Sequence, residues 1–250
     1  MKKKEEELLR EEEELKKLEE EFELELLVEK AKFLSKKQVL ELEIIKEKYN
    51  KKIDSFSNIE HEKFEKVFFT ELTYDSNAIE GNSLSLEETS LVINEGITPK
   101  GKSLREIHEA KNHSEALEFM KNYGGDLNES FILKMHSIIL KNISKRFSGT
   151  YRKSNVRIAG STFKPPVHEK VPQLIKNLIY WYKENKNNMH PFELAVVLSA
   201  KFVTIHPFVD GNGRVSRLVM NFLLKKNSYP LINIYEKNRQ DYLKSIRKAN

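Results

Sequence analysis

Two apolar helical patterns joined by a loop of six residues constrain this chain most. Pro191 is well placed at a helix start, and Leu194, Val197, Leu198, Ala200 and Phe202 leave the stretch up to residue 205 almost without a polar face. That predicts a buried central helix ending at Pro207. Val215, Leu218, Val219, Phe222 and Leu223 recur at helical spacing, which predicts a second helix to about Lys226 packed beside the first.

The loop and the turn after it read His206-Pro207-Phe208-Val209-Asp210-Gly211-Asn212-Gly213-Arg214-Val215-Ser216-Arg217. Glycine and asparagine tolerate positive φ, so Gly211, Asn212 and Gly213 are expected to turn successive N–H groups inward at a helix N-terminus, where anions bind. Arg214 and Arg217 are three apart and can reach one anion. Asp210 is a hard oxygen ligand suited to Mg²⁺. His206 is a candidate general base. Together they describe a phosphoryl or nucleotidyl transfer site. A calcium-binding EF-hand fails, because Arg214 and Val215 stand where an oxygen ligand and a glycine are needed. The phosphate loop Gly-x-x-x-x-Gly-Lys-Ser/Thr is absent. A lone packed histidine is the ordinary reading of His206, and the loop around it argues against that.

Those twelve residues resemble the signature of the Fic family, His-x-Phe-x-Asp/Glu-Gly-Asn-Gly-Arg-x-x-Arg, at every defined position. The resemblance implies an all-α, Fic-type helical bundle around a buried central helix, with one short β-hairpin flap over the active site. It also implies an enzyme that moves AMP from ATP, with Mg²⁺, onto a hydroxyl of a target protein. Relatives that transfer phosphate carry Lys at the place of Gly213, and those that transfer phosphocholine carry Ala at the place of Gly211. Neither departure is present, which favours AMP.

The resemblance extends to three further segments. Ser76-Asn-Ala-Ile-Glu80-Gly81 is similar to the family's inhibitory motif, whose glutamate pairs with the second arginine of the signature, here Arg217. Gly81 fits the residue just past a helix end, which leaves Glu80 in a last turn where its charge wants a cation. Residues 149–166 break the helical pattern. Val156 and Ile158 alternate, Gly160-Ser161 signals a turn, and Thr162-Phe163 can return, so a hairpin over Asn155, Val156, Arg157, Ile158, Ala159, Gly160, Ser161, Thr162 and Phe163 is expected before Pro165-Pro166. It resembles the family flap, which docks the target by strand addition. Asn250 closes a Lys-Ala-Asn similar to a segment whose asparagine contacts the nucleotide. Family members usually continue beyond it, which leaves open a cropped or naturally short chain and an incomplete adenine pocket.

Three divisions are expected: a charged helical arm over 1–58, a helical region with the inhibitory motif over 59–100, and a catalytic core over 101–250. Residues 1–50 lack proline and glycine and read as helix. Residues 1–30 carry a net −6 and the remaining 220 carry +11. The seam Leu8, Leu9, Leu15, Leu18 and Phe22 is too irregular for a sustained heptad. A solvated helix leads, with a coiled coil, and so a homodimer, left open. The second helix, 59–80, is expected to bury Phe64, Val67, Phe68 and Leu72. Capping boxes Ser85/Glu88 and Ser103/Glu106 open helices closed by Gly96 and Gly124. Further helices are expected over 128–142, 171–184 and 239–250. His108, His113 and His136 lack paired ligand spacing and read as surface or packing residues.

The chain has no cysteine and no run of about 18 apolar residues, and Lys2–Lys4 are followed by Glu5–Glu7 rather than an apolar segment. A cytoplasmic setting without disulfides or a membrane span is expected. The basic body suits ATP, and no nucleic-acid motif supports the other reading of its charge. Expected partners are ATP and an unidentified protein offering a Ser, Thr or Tyr hydroxyl, including the chain itself. Two other functions stay open. One is removal of AMP at the same site, with Glu80 orienting water. The other is a non-enzymatic ATP-binding interaction module.

Overall fold

The computed structural model describes residues 21–158 and 163–248. Helix α1 covers residues 21–30. It is followed by α2 (Lys36–Asp54), α3 (Asn58–Ile79), α4 (Leu86–Ser90), α5 (Leu104–Asn122), α6 (Glu129–Ile139), α7 (Val171–Asn185), α8 (Pro191–Ile205), α9 (Asn212–Lys226) and α10 (Arg239–Lys248). A π turn, Leu91–Glu95, extends α4 to Gly96, which takes φ 72°. The fold is all-α, and no strand is found among the described residues.

The expected continuous helix over 1–50 is broken. Residues 31–35 leave helical geometry because the Glu193 carboxylate at the start of α8 accepts the N–H groups of Lys32 (2.9 Å), Phe33 (2.7 Å) and Leu34 (2.6 Å). Three backbone bonds to one charged acceptor outweigh propensity for one turn. Ser35 then restarts the chain with a capping box to Gln38. Within the charged stretch 1–58, α2 packs against the body of the protein. Val39 is fully buried, and Glu43 accepts the Tyr229 hydroxyl and faces His190. The stretch to residue 20, with most of the irregular seam, lies outside the described residues.

One core joins α5 through α9. Leu117, Met120, Phe131, Ile132, Met135, Ile175, Leu198, Phe202, Leu218 and Leu223 are all buried in it. The enclosed helix is α9 rather than α8. From Arg214 to Leu224 every α9 residue is buried, whereas α8 exposes Val196 and Lys201. Small residues let the two approach, with Ser199 Oγ and Ser216 Oγ 2.6 Å apart inside the protein. In α3, Phe69 and Leu72 are buried, but Val67 is 60 % exposed and Phe64 sits at the surface, so the expected apolar face holds only for the C-terminal half. That half buries Thr73, Asp75, Ser76 and Asn77 and so brings the candidate inhibitory residues inside.

After α9 the chain runs back irregularly. The Asn221 side chain holds it by donating to the Ile232 carbonyl (3.0 Å) and accepting the Ile232 N–H (2.7 Å). Asp75 of α3 then accepts from Asn233 (2.6 Å) and from the Glu236 N–H (2.7 Å). Arg239, opening α10, donates to the Ile79 carbonyl at 2.7 Å, which ties the end of α3 to the C-terminal segment.

Candidate active site

Residues 206–211 connect the end of α8 to the start of α9, and each turn of that loop has a cause. His206 ends α8 at φ 49°, and its N–H still bonds the Phe202 carbonyl at 3.0 Å. Pro207 has no N–H with which to continue the helix. The Asn212 side chain closes the loop, accepting the Phe208 N–H and donating to the Phe208 carbonyl, both at 2.9 Å. Phe208 is buried and stacks on the His136 ring, with centroids 3.6 Å apart. His136 accepts the Gly149 N–H at Nδ1 (3.1 Å), so its proton sits on Nε2, which donates to the Asp210 carbonyl (3.2 Å). Burial lowers its pKa to about 4, keeping it neutral. His136 is therefore a buried packing residue that braces the loop.

Within Gly211-Asn212-Gly213, positive φ is confined to the first residue. Gly211 takes φ 80°, and a Cβ there would also crowd Ile139 Cγ2 at 3.2 Å. Asn212 and Gly213 already belong to α9, so the inward N–H groups are those of a helical first turn rather than of a run of left-handed residues. No side chain caps that turn. The expected anion seat would therefore rest on a different backbone geometry, a helix N-terminus. Asn212 contributes to it through its backbone only.

Charged side chains surround this turn. Arg214 is 2 % exposed, with Nη2 3.2 Å from Asp210 Oδ1 and Nη1 3.2 Å from Glu109 Oε1, and its Nε makes no hydrogen bond. Arg217 is fixed by α3: Nε donates to Ser76 Oγ (3.0 Å), and Nη2 donates to the Ser76 carbonyl (2.8 Å) and to Glu80 Oε1 (2.8 Å). The Arg217 guanidinium also lies over the Tyr242 ring of α10 at 5.8 Å. Glu80 lies so close above Gly213 that a Cβ built there would stand 2.1 Å from its Oε1. An internal carboxylate thus sits over the first turn of α9.

Asp210 accepts the Gly211 N–H (2.6 Å) at Oδ1 and Arg105 Nη2 (2.5 Å) at Oδ2. Burial would raise its pKa, but Arg214, the Gly211 N–H and Arg105 together hold it below the ordinary value, so it stays ionised. Burial lowers the pKa of His206, Arg152 adds to the fall, and the Val203 carbonyl, Glu80 and Asp210 oppose it. The ring is therefore a free base at neutral pH. No group of three His, Cys, Asp or Glu is placed to hold a metal among the described residues. A single ionised carboxylate beside a phosphate seat still fits Mg²⁺, which is commonly held by one or two carboxylates with substrate phosphates and water.

Sequence reasoning passed over Arg105 and Glu109, and took Arg152 only as part of a Gly149…Arg152 pattern beside the flap, with no role of its own. Arg152 is buried; it donates from Nε to the His206 carbonyl (2.8 Å), from Nη1 to the Ser154 carbonyl (3.2 Å) and from Nη2 to the Pro166 carbonyl (2.5 Å). It locks the end of α8 to both stems of the expected flap. The flap itself is not seen as a hairpin: Asn155, Val156, Arg157, Ile158 and Phe163 carry no strand geometry, while Ala159, Gly160, Ser161 and Thr162 lie outside the described residues. The Asn155 side-chain oxygen Oδ1 accepts the His168 N–H at 2.9 Å, an anchor at the stem. Asn250 also lies outside the described residues.

Comparison with known proteins agrees with this geometry. A sequence model described as the Fic/DOC family matches residues 126–224. Protein adenylyltransferase fic-1 of Caenorhabditis elegans is 30% identical over 207 residues, covering 79% of this chain and 40% of its own length. Protein adenylyltransferase Fic of Nematostella vectensis is 32% identical over 182 residues, covering 71% of this chain and 42% of its own. The chain therefore spans about two fifths of the curated relatives it matches. A solved Fic domain containing signaling protein from Bacteroides thetaiotaomicron superposes with a TM-score of 0.74 at 32% identity, over 81% of this chain and 80% of that one. A solved Fic-1 from C. elegans superposes with a TM-score of 0.73 at 25% identity, over 94% of this chain and 67% of that one. With the complete signature on the loop that joins α8 to α9, and the same fold over most of its length, this chain belongs to the Fic/DOC family.

Proposed function

We propose that the protein is an adenylyltransferase that moves AMP from ATP onto a hydroxyl of a target protein, and that Glu80 restrains it. The observation that carries this reading is the convergence of His206, Asp210, Arg214 and Arg217 on the uncapped first turn of α9, with a carboxylate already seated there. Relatives named protein adenylyltransferase support the activity.

In this reading the first turn of α9, from Gly211 to Gly213, with Arg214 and Arg217 receives the β- and γ-phosphates. Asp210 would hold Mg²⁺, which supplies charge neutralisation at the α- and β-phosphates. The target hydroxyl is carried to the cleft by main-chain pairing with the flap, residues 155–163. His206 takes the hydroxyl proton as its oxygen attacks the α-phosphorus. The bond to the β-phosphate oxygen breaks, and pyrophosphate leaves. Fixed guanidiniums and N–H dipoles lower the barrier because they need no reorganisation as charge moves. Glu80 competes with the γ-phosphate for Arg217 and for the α9 turn, so the resting protein binds ATP poorly or unproductively.

One experiment tests both parts. Wild type, Glu80→Gly and His206→Ala are incubated with α-labelled ATP and Mg²⁺, and label on protein is counted. Label should rise in Glu80→Gly. It should fall by about 10²–10⁴-fold when His206→Ala is added, the usual effect of losing a general base. Near-full labelling without His206 would overturn its role, and unchanged labelling in Glu80→Gly would overturn the restraint.

A second reading has its own support. Glu80 is 37% exposed and close enough to His206 to raise its proton affinity. A carboxylate so placed can orient water toward an AMP–protein bond. Under that reading Glu80→Gly loses release of AMP from labelled protein while gaining transfer.

A further inference from the structure

The two oxygens of Asp210 are held differently. Oδ1 is held within the loop, by the Gly211 N–H at 2.6 Å and by Arg214 Nη2 at 3.2 Å. Oδ2 turns toward α5, where Arg105 Nη2 donates to it at 2.5 Å. Arg105 stands in the first turn of α5, and its side chain is 58% exposed. Its Nε is held separately by Glu109 Oε1 at 3.2 Å. Glu109 is itself anchored by Asn82 Nδ2 at 2.9 Å and lies 3.2 Å from Arg214 Nη1. Arg105 can therefore let go of Asp210 and still stay beside the site.

An ion pair this exposed is weak and reversible. It also occupies the one carboxylate oxygen that the loop leaves over for a metal. A guanidinium there neutralises Asp210 when no metal is present, as Glu80 neutralises Arg217 when no phosphate is present. We propose that Arg105 is a cation latch on Asp210: its guanidinium holds the oxygen a divalent cation needs, and the metal–nucleotide complex binds by displacing it. The proposal rests on reading Asp210 as the metal ligand. It follows that the apparent metal affinity is the intrinsic affinity reduced by the fraction of molecules in which Arg105 has already left. On release, the side chain stays on Glu109 and swings within the cleft rather than into solvent.

The test measures metal binding directly. Free Mn²⁺ is followed by electron paramagnetic resonance as it is titrated into wild type, Arg105→Gln and Asp210→Asn. Each sample is saturated with an ATP analogue whose α–β bridge is a methylene group, so no transfer occurs. Arg105→Gln should bind Mn²⁺ roughly two- to five-fold more tightly than wild type, the range set by a weak exposed pair. Asp210→Asn should lose the site. Equal or weaker Mn²⁺ binding in Arg105→Gln, with the site still lost in Asp210→Asn, would overturn the latch and leave Asp210 as a metal ligand. Mn²⁺ bound equally well by wild type and Asp210→Asn would overturn the Asp210 reading and the latch together. Because Arg105 is a surface side chain, its variant should melt with wild type, which separates these outcomes from misfolding.

Discussion

Arg214 and Arg217 sit one turn apart on α9, both buried, yet they are held by opposite means. Arg214 faces two carboxylates, Asp210 and Glu109, and its Nε has no hydrogen-bond partner. Arg217 is held chiefly by neutral groups, the hydroxyl and carbonyl of Ser76, with one half-exposed carboxylate, Glu80, added at the edge. The first arrangement fixes a guanidinium between two carboxylates, one on the loop and one on α5, while the second fixes a guanidinium to a neighbouring helix with a single carboxylate at its edge. A buried cation with one counter-ion and neutral anchors is suited to exchanging that partner for an incoming anion. One shared between two counter-ions from different elements is suited to keeping shape.

That contrast makes Arg214→Ala the most damaging change. It leaves Glu109 and Asp210 with only the exposed Arg105 between them, and removing the buried member of an ion pair costs about 3 kcal/mol or more. Arg217→Ala leaves a buried carbonyl and hydroxyl unsatisfied, a smaller loss of about 1–3 kcal/mol. Urea unfolding should rank Arg214→Ala below Arg217→Ala. The reverse order would break the comparison, making Arg217 the structural member of the pair.

His113 gives a weaker effect from the same neighbourhood. It is fully buried, with Nδ1 3.1 Å from Thr73 Oγ1 and no hydrogen bond at Nε2. Burial lowers its pKa to about 3, and Arg217 and Arg214 add to the fall. Unfolding lets it regain a proton near its ordinary value of 6.5. Because the folded pKa is depressed, its stabilising share is complete above pH 6.5 and drains as pH falls toward 3. The loss from this residue is about 1.4 kcal/mol per pH unit in that window. Unfolding free energies of wild type and His113→Gln, measured at pH 5.5 and 4.5, should differ in slope by about that amount. Parallel slopes would mean that His113 is accessible to protons in the folded protein.

Legibility follows the same physics. The loop from His206 to Arg217 is dense in residues whose chemistry has few alternatives, so its composition alone pointed to an anion seat. An acid closing a helix asks for some cation, and the resemblance to the inhibitory motif named Arg217, with which Glu80 pairs. Contacts made by ordinary residues across long separations were not. Glu193 breaks the N-terminal helix from about 160 positions away, and nothing near residue 33 announces it. Ser35 and Gln38 did form a readable capping box, passed over because the surrounding Lys, Glu and Leu outweighed it. Arg105 carries no local motif, and the Gly149…Arg152 pattern did not say what Arg152 holds; the importance of both lies in which carbonyl or carboxylate the fold presents to them. The apolar character of 192–205 suggested the enclosed helix, but the neighbour containing two arginines is the more deeply enclosed. Apolar periodicity does not register charges whose partners come from other helices.

The smallest change sharpens the distinction between a replaceable and a permanent counter-ion. Gly213 has helical φ and ψ, so Gly213→Ala meets no backbone strain and should alter stability by less than about 1 kcal/mol. Its methyl group would overlap the Glu80 carboxylate, which must move away from Arg217. Glu80→Gly and Gly213→Ala therefore both loosen the same ion pair, but only Glu80→Gly leaves the first turn of α9 open. Titration with an ATP analogue should find tighter binding in Glu80→Gly and no gain in Gly213→Ala. If both gained equally, Glu80 would act only through its hold on Arg217. A gain confined to Glu80→Gly means that the carboxylate also fills the seat above Gly213, and restraint then comes from occupying the phosphate's place as well as from pairing with its arginine.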